Sequence, residues 1–114
     1  MAEKVKPVIL TDSLTGEEYT LDFNRDAVRF AESRGFAITD IERYPMTMYD
    51  LFFYAFRMHH RNVSREKTDK LIDEGFGGIA GIPSALIERL VELYAQTFGT
   101  AVEESENPRI VVEL

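Results

Sequence analysis

The chain contains no cysteine. That excludes a disulfide framework, a thiol nucleophile and every thiolate-ligated zinc site. No apolar run approaches the roughly 20 residues that a membrane span requires. The opening MAEKVKP lacks the apolar stretch of a signal peptide. Histidine is scarce, confined to the neighbours His59 and His60. Basic residues are also few: 13 Lys and Arg stand against 20 Asp and Glu, a formal charge of −7. Nucleic-acid binders draw much of their affinity from neutralising phosphates, so this balance speaks against that class. It favours solubility and protein partners. These absences predict a soluble, cytoplasmic protein without cofactor or metal, engaging neither nucleic acid nor membrane.

What is present is ordinary globular material. The 114 residues are the length of one domain, and a 45% hydrophobic share can fill a core. Residues 5–10 (VKPVIL) and 17–23 (EEYTLDF) read as strands flanking a turn-rich DSLTG. Tyr19, Leu21 and Phe23 alternate with polar residues, and Pro7 places the first strand at an edge. A helix follows over 25–34, capped by Asn24 and closed by Gly35, with Phe36 folding back on Ala31. Ile38 and Ile41 carry a short segment of open type. Further helices are predicted over 47–60 with Thr47 as cap, over 65–74 from Ser64 to Gly75, and from Pro83 to Gly99. The last has an apolar stripe that includes Leu86, Leu90, Leu93, Tyr94 and Phe98, with Gln96 facing away. The expected fold is α+β, mainly α: an N-terminal β-hairpin packed on about four helices. A single domain spans 1–100, and 101–114 is an acidic C-terminal tail with a short strand-like end, RIVVEL.

The stretch LFFYAFRMHHRN, 51–62, carries the functional question. Wound as a helix it is apolar on nearly every side, which normally means enclosure. Two readings follow. In one, this is a central core helix. In the other, a strip of Tyr49, Phe53 and Tyr54 stays open for a partner, rimmed by Arg57 and Arg61. Each large apolar side chain left in water forgoes about 1.5–3 kcal/mol, so an open strip implies binding. His59 and His60 lie about 100° apart on a helix and cannot chelate one ion together. Neither has a helical neighbour carboxylate to orient it, so they read as polar ends of the helix.

Arg57, Arg61, Arg65, Lys67 and Lys70 form the chain's one basic cluster. It is either a solvated face or a dock for the acidic Glu103, Glu104 and Glu106 of this tail or of a neighbouring subunit's. GFGGIAGIP, 75–83, holds a nominal Gly75-x-Gly77-x-x-Ala80 dinucleotide fingerprint, but a helix precedes it where a strand is required. It reads as a connector. No enzymatic constellation appears, so catalysis is not expected.

Three phrases carry a resemblance: VILTDSLTGEEYTLDFNRDAVRFAESRGFAITDI, PMTMYDLFFYAFRMHHRNVSREKTDKLIDE, and LIERLVELYAQTFG after the glycine link. Together they resemble the small tail assembly chaperones of long-tailed bacteriophages and prophages, over residues 7–100. The resemblance implies a mostly helical domain in a bacterial host's cytoplasm. It would bind the tape measure protein, keep that long apolar rod soluble and recruit tail-tube subunits. It also implies a homo-oligomer and a longer frameshifted form. It brings no set of binding residues with it. The alternatives are a structural phage tail or head–tail connector component, and a small acidic protein-interaction domain of another role.

Overall fold

The computed structural model describes residues 4–99 and 112–114. The acidic stretch 101–108 and the first residues of the strand-like RIVVEL lie outside them. Strands β1 (Val8–Thr11) and β2 (Glu18–Leu21) pair antiparallel, with Val8 opposite Leu21 and Thr11 opposite Glu18. The turn closes as Gly16 N–H donates to Asp12 O at 2.7 Å, and Gly16 takes the left-handed φ of 78° that favours glycine. Tyr19 and Leu21 point inward and are buried, as the period-2 pattern requires.

A two-stranded sheet is marginal alone. Here β2 is held along its outer edge by the helix α2 (Thr47–Arg57) and the turn after it. Asp22 N–H donates to Ala55 O at 3.1 Å, and Thr20 N–H to His60 Nε2 at 3.1 Å. Because amide directions alternate along a strand, the outward amides of β1 are those of Ile9 and Thr11. Pro7 takes the next position in that outward series, where a missing N–H costs nothing.

Helix α1 (Arg25–Ser33) starts where Asn24 Oδ1 accepts from Ala27 N–H at 2.7 Å. It ends with Gly35 at φ 91° and Phe36 N–H returning to Ala31 O at 3.1 Å. The open segment is a 3-10 turn, Ile38–Ile41, which buries Ile41. Helix α3 (Arg65–Lys70) is capped by Ser64 Oγ, which accepts from Lys67 N–H at 3.0 Å. Helix α4 is Ser84–Gln96.

Several boundaries depart from the sequence reading. Thr47 is not a cap: Met46 precedes it in helical conformation, and the helix grows out of a turn whose carbonyls already bind the first amides. The helix α2 stops at Arg57, not at 60. Gly75 does not end α3, because the chain widens into a π-helical turn, Leu71–Phe76, closed by Gly77 at φ 82°. Gly81 packs so tightly that a Cβ there would lie 1.7 Å from the Phe76 carbonyl oxygen. Pro83 occupies the N-cap position, outside the first turn. Phe98 lies beyond α4 and is exposed. There Thr97 Oγ1 bonds back to Tyr94 O, while Arg25 Nε donates to Thr97 O. Gln96, expected to face away, clasps Val5 through both of its amide atoms.

The helix α2 is central. It contributes Leu51, Phe52, Ala55 and Phe56 to a core completed by Leu21, Ile72, Leu90, Leu93 and Tyr94. No helix among the described residues is long and apolar enough to cross a membrane.

Tyr94 is enclosed between Phe23 and Phe36, yet its hydroxyl donates to Glu32 Oε2 at 2.7 Å. Burial, then the Glu32 hydrogen bond and charge, hold this hydroxyl well above the usual tyrosine range. The unfolded chain therefore ionises first as pH rises. The stabilisation is complete below about pH 10 and is lost above it. Tyr94→Phe should cost about 1 kcal/mol at neutral pH and flatten the alkaline fall in chemical-denaturation midpoints. His60→Phe keeps a ring against Tyr19 and Phe56 but leaves Thr20 N–H without its acceptor. A loss of roughly 1–2 kcal/mol in the same assay is expected.

Candidate functional site

The residues singled out on α2 divide into three groups. Phe53, Tyr54 and Arg57 come together. Tyr54 is buried at 7% exposure, so it is not the open anchoring ring expected from the sequence. It faces the interior because Phe30 and Phe36 close on it edge-on, at 6.0 and 5.6 Å between centroids. Phe53 is half-buried and leans edge-on against Tyr54 at 5.2 Å. Its ring lies under the Arg65 guanidinium at 4.8 Å. Arg57 stacks on the Phe30 ring at 3.7 Å, and Arg34 reaches the same ring at 4.9 Å.

A ladder results: Arg34 and Arg57 share the Phe30 ring, Phe30 meets Tyr54, and Tyr54 meets Phe53 under Arg65. Phe30 comes from α1 and Arg34 from its C-cap, Phe53, Tyr54 and Arg57 from α2, and Arg65 from α3. Cation–π pairs of this kind contribute about 0.5–1 kcal/mol at exposed sites and more when desolvated. Arg65 is fixed further by an ion pair with Asp50. Above this patch the outward stripe of α2 continues through Tyr49 to the exposed Met46.

Tyr49 sits one turn away, half-buried, its hydroxyl donating to Asp73. That bond and local desolvation raise its pKa, so the phenol keeps its proton at neutral pH. Asp69 lies in the same seam with an enclosed Oδ1 that has no partner among the described residues. Burial pushes its carboxyl up, Arg65 opposes that, and Asp73 and Asp50 reinforce it.

Arg61 does not join this patch. It is exposed and lines a separate open groove of about 530 Å³ with His59, His60 and Lys67. The histidines are not orphans. His60 holds β2, and His59 Nε2 stands 3.9 Å from Asp22 Oδ2, a carboxylate brought by the hairpin. Among the described residues no three His, Asp or Glu converge as metal ligands. The glycine link forms the π-turn cap and a 3-10 turn, Ile79–Gly81.

Phe30, Arg34, Asp50 and Arg65 were missed from the sequence as members of this face. The i, i+4 spacing of Phe30 and Arg34 was a local signal for one contact. The meeting of α1 and α3 over α2 had none.

The chain belongs to the family described as Domain of unknown function (DUF5055), whose model matches residues 1–114. No curated protein and no solved structure matches it.

Tyr54 and Phe53 should separate cleanly in stability. Tyr54→Ala opens the core and should cost about 3–5 kcal/mol, whereas the half-open Phe53→Ala should cost no more than about 2, read from urea midpoints.

Proposed function

We propose that this protein is a non-enzymatic tail assembly chaperone of a long-tailed bacteriophage or prophage. On this reading it binds the tape measure protein, keeps that rod soluble in the bacterial cytoplasm and brings tail-tube subunits to it. The observation that supports binding is the half-open Phe53 ring under Arg65 on the outward stripe of the central helix, with Arg57 on the neighbouring Phe30 ring. The class of client comes from the resemblance of the quoted phrases to the chaperone family.

The mechanism is capture of an amphipathic helix by its apolar face. Client side chains would cover Phe53 and Met46, each large one gaining about 1.5–3 kcal/mol on leaving water. Phe53 already rests on the immobile Tyr54, so little side-chain freedom is lost on binding. The client's carboxylates would meet Arg34, Arg57 and Arg65 at the rim, where charge sets orientation and on-rate more than affinity.

Co-expression with a tape measure fragment tests this directly. The parent chain should co-purify with the fragment and keep it in the supernatant. Phe53→Glu should lose capture by tenfold or more while retaining parental circular dichroism, and Arg57→Glu should weaken it less. Equal capture by Phe53→Glu would remove the site. Finding the chain in finished particles would favour the structural tail or connector reading instead.

A further inference from the structure

A second open surface lies on the hairpin. Along β1 the outward amides of Ile9 and Thr11 have no partner among the described residues, and the Ile9 side chain is 56% exposed. Beside that edge runs a groove of about 570 Å³ between the hairpin tip and the Leu71–Phe76 turn. Its floor is Leu10, Tyr19, Leu71 and Phe76, with Lys67 and Lys70 on one wall. Lys70 pairs with Glu74, whereas Lys67 Nζ stands 5.8 Å over the Tyr19 ring with no carboxylate partner among the described residues. An unpaired strand edge over an apolar floor is a template for an added strand. The free lysine selects one accompanied by acidic residues.

The chain carries such a segment. RIVVEL, 109–114, is β-branched and alternates in the manner of a strand, and Glu103, Glu104 and Glu106 precede it. Of its described residues, Val112 is 70% exposed and Leu114 fully so. The β1 edge thus lacks a partner among the described residues, the end of the segment is open, and two copies satisfy both needs.

We propose that segment 109–114 of one copy adds as a third strand to the β1 edge of a second copy. Its apolar side chains enter the groove, and the glutamates before it meet Lys67. Exchanged reciprocally, the contact closes as a two-fold dimer in which both β1 edges and both segments are used. This is independent of the tape measure reading, since it uses none of the α2 ladder.

Light scattering on the full chain tests it. At high concentration the mass should be twice the 13.1 kDa of one chain. Deleting 109–114 should return it to the single-chain value. So should Thr11→Pro, which removes an outward amide and spares the ladder to β2; Ile9→Lys serves if that variant loses the fold. Mixing the deletion with Thr11→Pro should restore a weaker heterodimer, because one carries the edge and the other the segment. Raising salt from about 0.05 to 0.5 M should weaken the parent dimer about tenfold, as screening shortens the reach of Lys67. A parent chain that stays single, or a deletion that still pairs, overturns the proposal. So does a monomeric mixture in which hydrogen exchange shows the segment protecting its own β1.

Discussion

The structure depends on how α2 is enclosed. A helix with Leu51, Phe52, Ala55 and Phe56 all sealed needs cover on several sides at once. Three helices supply part of it, and the hairpin supplies the rest. The hairpin in turn cannot persist as an isolated two-stranded ribbon. Its solution is to hand the outer amides of β2 to α2 and the turn beyond it, through Ala55 O and His60 Nε2. The same two bonds that complete the strand also fix the lid over Phe56. Removing either partner would expose both.

That arrangement also engages both histidines. Each is engaged by the hairpin, His60 as an acceptor for Thr20 N–H and His59 beside Asp22. An imidazole that accepts a backbone amide is committed to a structural bond, and its ring packs on Tyr19 and Phe56. Where α2 is not covered, its rings are roofed by arginines. A guanidinium stacks on a ring face while remaining hydrated at its edge. Phe30 and Phe53 are therefore shielded without being interior.

Much of the fold was legible because local rules and global packing agree. The alternation of Tyr19 and Leu21, the caps at Asn24 and Ser64, and the left-handed Gly35 each follow from short-range chemistry. Misses arose where a long-range contact decided the outcome. Gly75 reads as a helix stop, but the chain runs on through a π-helical turn to Gly77, and Gly81, from beyond that stop, packs closely on Phe76. Phe98 continues the apolar stripe in sequence, but Arg25 draws the chain out of helix before reaching it. For the site, the all-round apolarity of α2 left open which ring would stay half-exposed. Tyr54 is sealed and Phe53 is not because Phe30 and Phe36 come from a different helix and the turn after it, a placement that no spacing within α2 encodes.

Helix α3 separates the two open surfaces, and its geometry sets how they can be used together. Arg65 stacks over Phe53 while Lys67 stands over Tyr19. Residues two apart on a helix project about 200° apart, so these cations serve opposite sides of one short element. A strand arriving at β1 need not displace a helix lying on α2, and both can be held at once. Yet the sides are not mechanically independent. Leu71 and Phe76 floor the hairpin groove, Asp69 and Asp73 line the Tyr49 seam, and all four belong to the same helix and its π-turn. That turn is wound with one residue too many, a rare form found mostly as single turns. A strand seated in the groove and a helix seated on α2 would therefore share this turn as a common wall.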